Sequence, residues 1–188
     1  MIEFKLFFAL ISYYFVMFVT PGPNNAMLTA SGIKFGFKRT LPHAFGIPFG
    51  HVIQITLVCF GLGSLFQKYP FIQLYLKWLC FFYLLYLGWK ILGSLSSNNK
   101  ETGRPLKFYE AALFQFINPK AWVVALTAAT AFFPNEENFI IATIFVVGTA
   151  PFICFPSICI WALFGSSIKL IIKNAKIKKN IEYLLALL

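Results

Sequence analysis

Two short stretches carry residue types suited to holding a small charged solute, Pro21-Gly22-Pro23-Asn24-Asn25 and Asn118-Pro119-Lys120. Proline has no N–H to donate, and its ring collides with the carbonyl four residues back. Helices that meet Pro21, Pro23 and Pro119 therefore release the carbonyls of Met17, Val19 and Gln115. Such carbonyls suit an ammonium group, and the free N–H groups at the start of a half-helix suit a carboxylate. Asn24, Asn25 and Asn118 add donors and acceptors without a buried charge. Lys120 can meet a carboxylate, or reach to a membrane interface as lysines near helix ends do. Together with Gly22, this inventory fits a zwitterion.

Few other side chains offer chemistry. His51 and Glu110 fall in apolar segments and are the candidates for carrying a proton. The bland reading of each is the favoured one: His51 as a hydrogen-bonding partner of a neighbouring helix, Glu110 as a solvated helix start. The chain has no aspartate. Cys59, Cys80, Cys154 and Cys159 lie in apolar blocks without C-x-x-C spacing and read as small buried hydrophobes. Neither a metal nor a cofactor is expected, and nothing points to catalysis.

The elements that must position these residues are apolar. Of 188 residues, 59% are hydrophobic and 12% charged, against about 45–50% and 25% in soluble domains. Blocks of about 20 apolar residues suffice to cross hydrocarbon. Five such segments follow one another: Leu6–Leu28, Leu41–Phe66, Phe71–Leu92, Phe108–Phe133 and Phe139–Phe164. The first ends in the proline motif without a small-x-small cleavage site, so it reads as a span and not as a signal peptide. A final piece, Ile181–Leu188, rises only about 12 Å as a helix. The fold class expected is an all-α integral membrane protein with five full transmembrane helices and a short sixth segment.

A polar, turn-rich stretch divides the chain near its middle, giving a first repeat over 1–95, a linker over 96–107 and a second repeat over 108–188. The breaks at Pro21 and Pro119 each fall in the first segment of a half, with similar flanking residues, Phe18-Val19-Thr20-Pro21-Gly22 and Phe116-Ile117-Asn118-Pro119-Lys120. Three segments per half turn the second half upside down, the pattern of an inverted-repeat carrier with broken helices one and four. Of the sixteen basic residues, twelve lie in alternate connections, which places the linker in the cytoplasm and the N-terminus outside. The net charge of +10 thus reflects topology and not a nucleic-acid surface. In the second segment, Gly46 and Gly50, with Gly61 and Gly63 further on, read as close-packing surface; such packing allows a homodimer without requiring one.

With the proline motifs, the run Gly32-Ile33-Lys34-Phe35-Gly36-Phe37-Lys38-Arg39 and the glycine-spaced second segment in view, the chain resembles the LysE/RhtB family of amino-acid exporters over nearly its whole length. Asn24-Asn25 and the phenylalanine-rich approach to Asn118 are similar to the branch exporting cysteine and O-acetylserine. The resemblance implies six helices in inverted three-helix repeats. It also implies a small amino-acid substrate moved out of the bacterial cytoplasm across the inner membrane against a proton gradient. Pro21, Gly22, Pro23, Asn24, Asn118, Pro119 and Lys120 match the family motifs. Two other classes stand beside this one: a membrane redox conduit, which needs a reactive cysteine pair on the broken helices, and a structural membrane subunit without transport of its own.

Overall fold

A computed structural model describes residues 3–92, 104–134, 138–171 and 175–187, and no strand occurs among them. The chain forms α1 (Phe4–Val19), α2 (Pro23–Phe35), α3 (Phe37–Leu57), a π-helical turn (Val58–Leu62) and α4 (Gly63–Lys68). These are followed by α5 (Pro70–Ile91), α6 (Phe108–Phe114), α7 (Pro119–Ala131), α8 (Phe139–Ile171) and α9 (Ala175–Leu187). Most of the linker, 96–103, and the acidic pair Glu136 and Glu137 lie outside the described residues.

Three stretches, Phe37–Lys68, Pro70–Trp89 and Phe139–Ile168, are long and apolar enough to cross a membrane, and α1 with α2, bent by 53°, makes a fourth. The expected fourth segment is broken into α6 and α7, of 7 and 13 residues, rising about 10 and 20 Å. The chain's last helix starts earlier than its apolar tail suggested: α9 has 13 residues, beginning in the basic stretch before Ile181. Its Leu185 packs with Ala26 and Ile33 of α2.

α8 is the hub, packed against α1, α2 and α3. Ala142, Val146, Ala150, Cys154, Ile158 and Ala162, every fourth residue of α8, are buried, as a stripe that drifts slowly round a 3.6-residue helix must be. Opposite it stand Leu10, Tyr14 and Phe18 of α1, also four apart. The Tyr14 hydroxyl donates to the Val146 carbonyl at 2.9 Å. The outer surface is itself apolar: Trp78, Phe82 and Trp89 of α5 and Phe152 of α8 are exposed. In water such a surface would associate; in lipid it faces its own kind.

Small residues set the closest approaches. A Cβ on Gly46 would strike the Phe108 carbonyl and Ala111, and one on Gly50 the Ala112 carbonyl and Gln115, so both glycines seat α6 on α3. Gly165 of α8 lies equally tight against the Thr29 carbonyl of α2. Gly61 and Gly63 differ from the packing role expected of them. Nothing lies within 4 Å of a Cβ on Gly61, whose φ of 115° instead turns the π-helical stretch, and Gly63 meets only ordinary contacts.

Candidate functional site

Each break forms where local capping competes with helix continuation. Gly22 precedes α2 in an extended conformation, with Pro23 at its first turn. Asn118 caps α7, its side-chain oxygen accepting from the Lys120 backbone N–H at 3.1 Å, and Pro119 follows at the first helical position. A proline there forfeits no helical bond, and an asparagine cap satisfies a donor the new helix leaves free.

Carbonyls at the breaks find side-chain partners. Val19 O accepts from the Trp161 indole N–H at 3.0 Å. Gln115 O accepts from the Gln54 side chain at 3.2 Å, and Phe116 O from the Trp122 indole at 2.9 Å. Asn25 folds back on its own break, its amide donating to Phe18 O at 2.9 Å and Thr20 O at 2.8 Å. It therefore staples α1 to α2.

Two sets of bonds join one break to the other. Asn24 and Gln115 exchange amide hydrogen bonds reciprocally, at 2.8 and 3.2 Å, and Gln115 donates again to Ala111 O at 2.8 Å. The Lys120 ammonium donates to Thr20 O at 2.6 Å and Pro21 O at 3.2 Å. No carboxylate pairs with Lys120 among the described residues. Its charge is met by the carbonyl dipoles at the end of α1, where helix polarity is negative.

Between the breaks lies a cavity of about 20 Å³ lined by Gly22, Asn24, Asn25, His51, Asn118 and Lys120, with Met17, Phe18, Ala121, Val124 and Ile158 completing the wall. Five of the eight expected binding residues line it. Pro21, Pro23 and Pro119 shape the breaks and are not among the lining residues. His51 is buried with its ring edge-on to Phe18 at 5.1 Å, and its Nδ1 has no hydrogen-bond partner. Glu110 stands apart at the start of α6, ion-paired with Arg104 and accepting from the Lys107 backbone N–H at 2.8 Å. All four cysteines are free, and none lines the cavity.

Gln115, Gln54 and Trp161 are the participants that motif reading passes over. A glutamine four residues before a proline, another one turn after His51, and a tryptophan late in the fifth segment were each visible. Their convergence depends on how α3 and α8 pack against the breaks.

The sequence model of the LysE type translocators matches residues 15–188, which include both breaks and every lining residue. The chain belongs to this family. Curated relatives of this translocator include the cysteine/O-acetylserine efflux protein of Salmonella paratyphi A (strain ATCC 9150 / SARB42), 30% identical over 82% of this chain and 79% of the relative. The protein of the same name in Escherichia coli (strain K12) is 29% identical over the same shares. No solved structure matches the chain. As a LysE-type translocator the chain is a multi-pass membrane transporter and not an enzyme.

Proposed function

We propose that the chain is a secondary carrier that exports a small neutral amino acid or derivative, of the cysteine or O-acetylserine kind, from the cytoplasm across the bacterial inner membrane. The observation that carries this reading is the shared cavity: both proline breaks, far apart in sequence, line one space with amides, a lysine and a histidine. Pro21, Gly22, Pro23, Asn24, Asn25, Asn118, Pro119 and Lys120 form the substrate site, and the zwitterion's two charges find carbonyl oxygens on one side and the lysine on the other. In this reading α6 and α7 together make the fourth span and α9 the short sixth. The halves 1–95 and 108–188 are inverted repeats about the linker, and the N-terminus is outside.

Export against a gradient needs a driving ion, and the proposed ion is the proton. Of the two candidates, His51 lines the cavity with an unpartnered nitrogen. Glu110 is engaged by Arg104 away from it. His51 is therefore the group assigned to carry the proton.

At about 20 Å³ the cavity holds one water, so the carrier stands closed and must open to admit an amino acid. Everted vesicles containing the protein should accumulate labelled cysteine or O-acetylserine when the lumen is acidified. Absence of gradient-dependent uptake for every labelled amino acid would overturn the reading.

A further inference from the structure

We infer that the carbonyl oxygens of Thr20 and Pro21 are the seat of the substrate's ammonium group, and that in the closed carrier the Lys120 ammonium itself occupies that seat. The inference rests on the proposed export function and adds to it what the substrate must displace.

Four observations converge. First, the Lys120 ammonium donates to both oxygens, at 2.6 and 3.2 Å, as a substrate ammonium would. The two groups are chemically alike, each a compact cation with three N–H donors. Second, no carboxylate pairs with Lys120 among the described residues, so the carbonyl dipoles are what offset its charge. Third, the cavity beside it has room for one water and not for an amino acid. A zwitterion cannot enter while the lysine side chain lies where it does.

The fourth observation concerns Gly22, which is buried beside the lysine. A Cβ there would stand 3.0 Å from Lys120 Cδ and 3.3 Å from its Nζ, so the lysine lies close across the break and an alanine would make it give by a few tenths of an ångström. Its φ of 171° is open to any residue. Close approach, not backbone conformation, accounts for the glycine.

Entry of the substrate then proceeds as an exchange of cations at fixed oxygens. The substrate ammonium takes Thr20 O and Pro21 O, and the displaced lysine turns to the carboxylate of the same molecule. Both of its charges are then answered by protein groups of opposite polarity. Loss of the substrate lets the lysine return and closes the empty carrier. A ligand must bring both an ammonium and a carboxylate to make the exchange.

The test uses propylammonium, which carries the ammonium alone. With purified protein in detergent, calorimetric titration should show no measurable propylammonium binding to the wild type, because its lysine fills the seat and gains no carboxylate in return. Lys120→Met vacates the seat and should bind propylammonium at least tenfold more tightly than the wild type. Lys120→Arg, which keeps a cation there, should not. Lys120→Ala also vacates the seat and should gain propylammonium binding, so it carries the test if Lys120→Met does not fold. Failure of both vacating variants to bind the amine more tightly than the wild type would overturn the inference. That result is independent of the vesicle experiment, since a wild type that exports amino acids would retain its function while the assigned seat fell.

Discussion

Asn24 and Gln115 show what a neutral contact between two breaks achieves. Each amide gives and receives a bond, and Gln115 is fully buried with both side-chain atoms engaged. Removing either partner strands the other in a low-dielectric interior, whereas removing both leaves neither unpaired. Asn24→Ala and Gln115→Ala should each lower the melting temperature in detergent, and the double variant should lose less than the two losses added. A coupling of roughly 0.6–1.7 kcal/mol is the scale of interhelical hydrogen bonds in membranes; strict additivity would show that the pair contributes nothing. At His51 the expectation concerns coupling. The ring packs on Phe18 and lies within reach of the Lys120 charge, so His51→Asn should keep exchange of internal for external substrate while losing its dependence on the pH gradient. Reconstituted vesicles with and without a gradient separate the two activities; unchanged gradient-driven uptake would assign the proton elsewhere. Asparagines and a lysine beside prolines announced the site in sequence because the chemistry of a broken helix is local. Gln115 did not, because its partner lies 91 positions away and is delivered by packing.

Elements explain why some prolines break a helix and others do not. Pro42 and Pro48 lie inside α3, and Pro151 and Pro156 inside α8, without ending either. At the two true breaks, capping residues precede the proline: Gly22 before Pro23, and Asn118 before Pro119 with its side chain turned to the new helix. A proline alone leaves a carbonyl free; a cap beside it makes starting a new helix favourable. The two breaks were legible in sequence, as were Gly46 and Gly50 as packing surface; the capping that sets them apart from the other prolines was not. The role of Gly61 was not, since glycine spacing does not tell a close approach from a positive φ. The glycines sort a mutational series. Gly46→Ala and Gly165→Ala press a methyl into backbone carbonyls of α6 and α2, an overpacking that costs about 1–3 kcal/mol. Gly148→Ala meets only Ile144 at 4.0 Å and should be neutral. Thermal unfolding in detergent ranks the three, and equal stability for all would mean that α3·α6 and α2·α8 are not held at these contacts.

For the whole molecule the question is which way the halves face, and the distribution of basic residues along the chain bears on it. Lysines and arginines resist translocation, and their bias across short connections sets orientation. Lys34 lies in the last turn of the first broken span and Lys38 and Arg39 follow it, Arg104 and Lys107 precede α6, and a cluster of lysines runs from Lys169 to Lys179. Lys68 closes α4, and the connection after α7 carries Glu136 and Glu137. If α1 with α2, and α6 with α7, each count as one crossing, the first three connections alternate inside, outside, inside, and the second half starts from the side opposite to the first. On that count the breaks enter the membrane from opposite faces, an arrangement consistent with Lys120 reaching the carbonyls of Thr20 and Pro21. Phosphatase fusions that are active only outside the cytoplasm should be active after Tyr69 and Pro134 and silent after Gly36 and Arg104. The reverse pattern at all four points would overturn the proposed orientation and put the N-terminus inside, while the direction of transport would still be set by the coupled gradient. Equal activity at Arg104 and Pro134 would mean that α6 and α7 form a re-entrant pair, leaving the halves without an inverted relation.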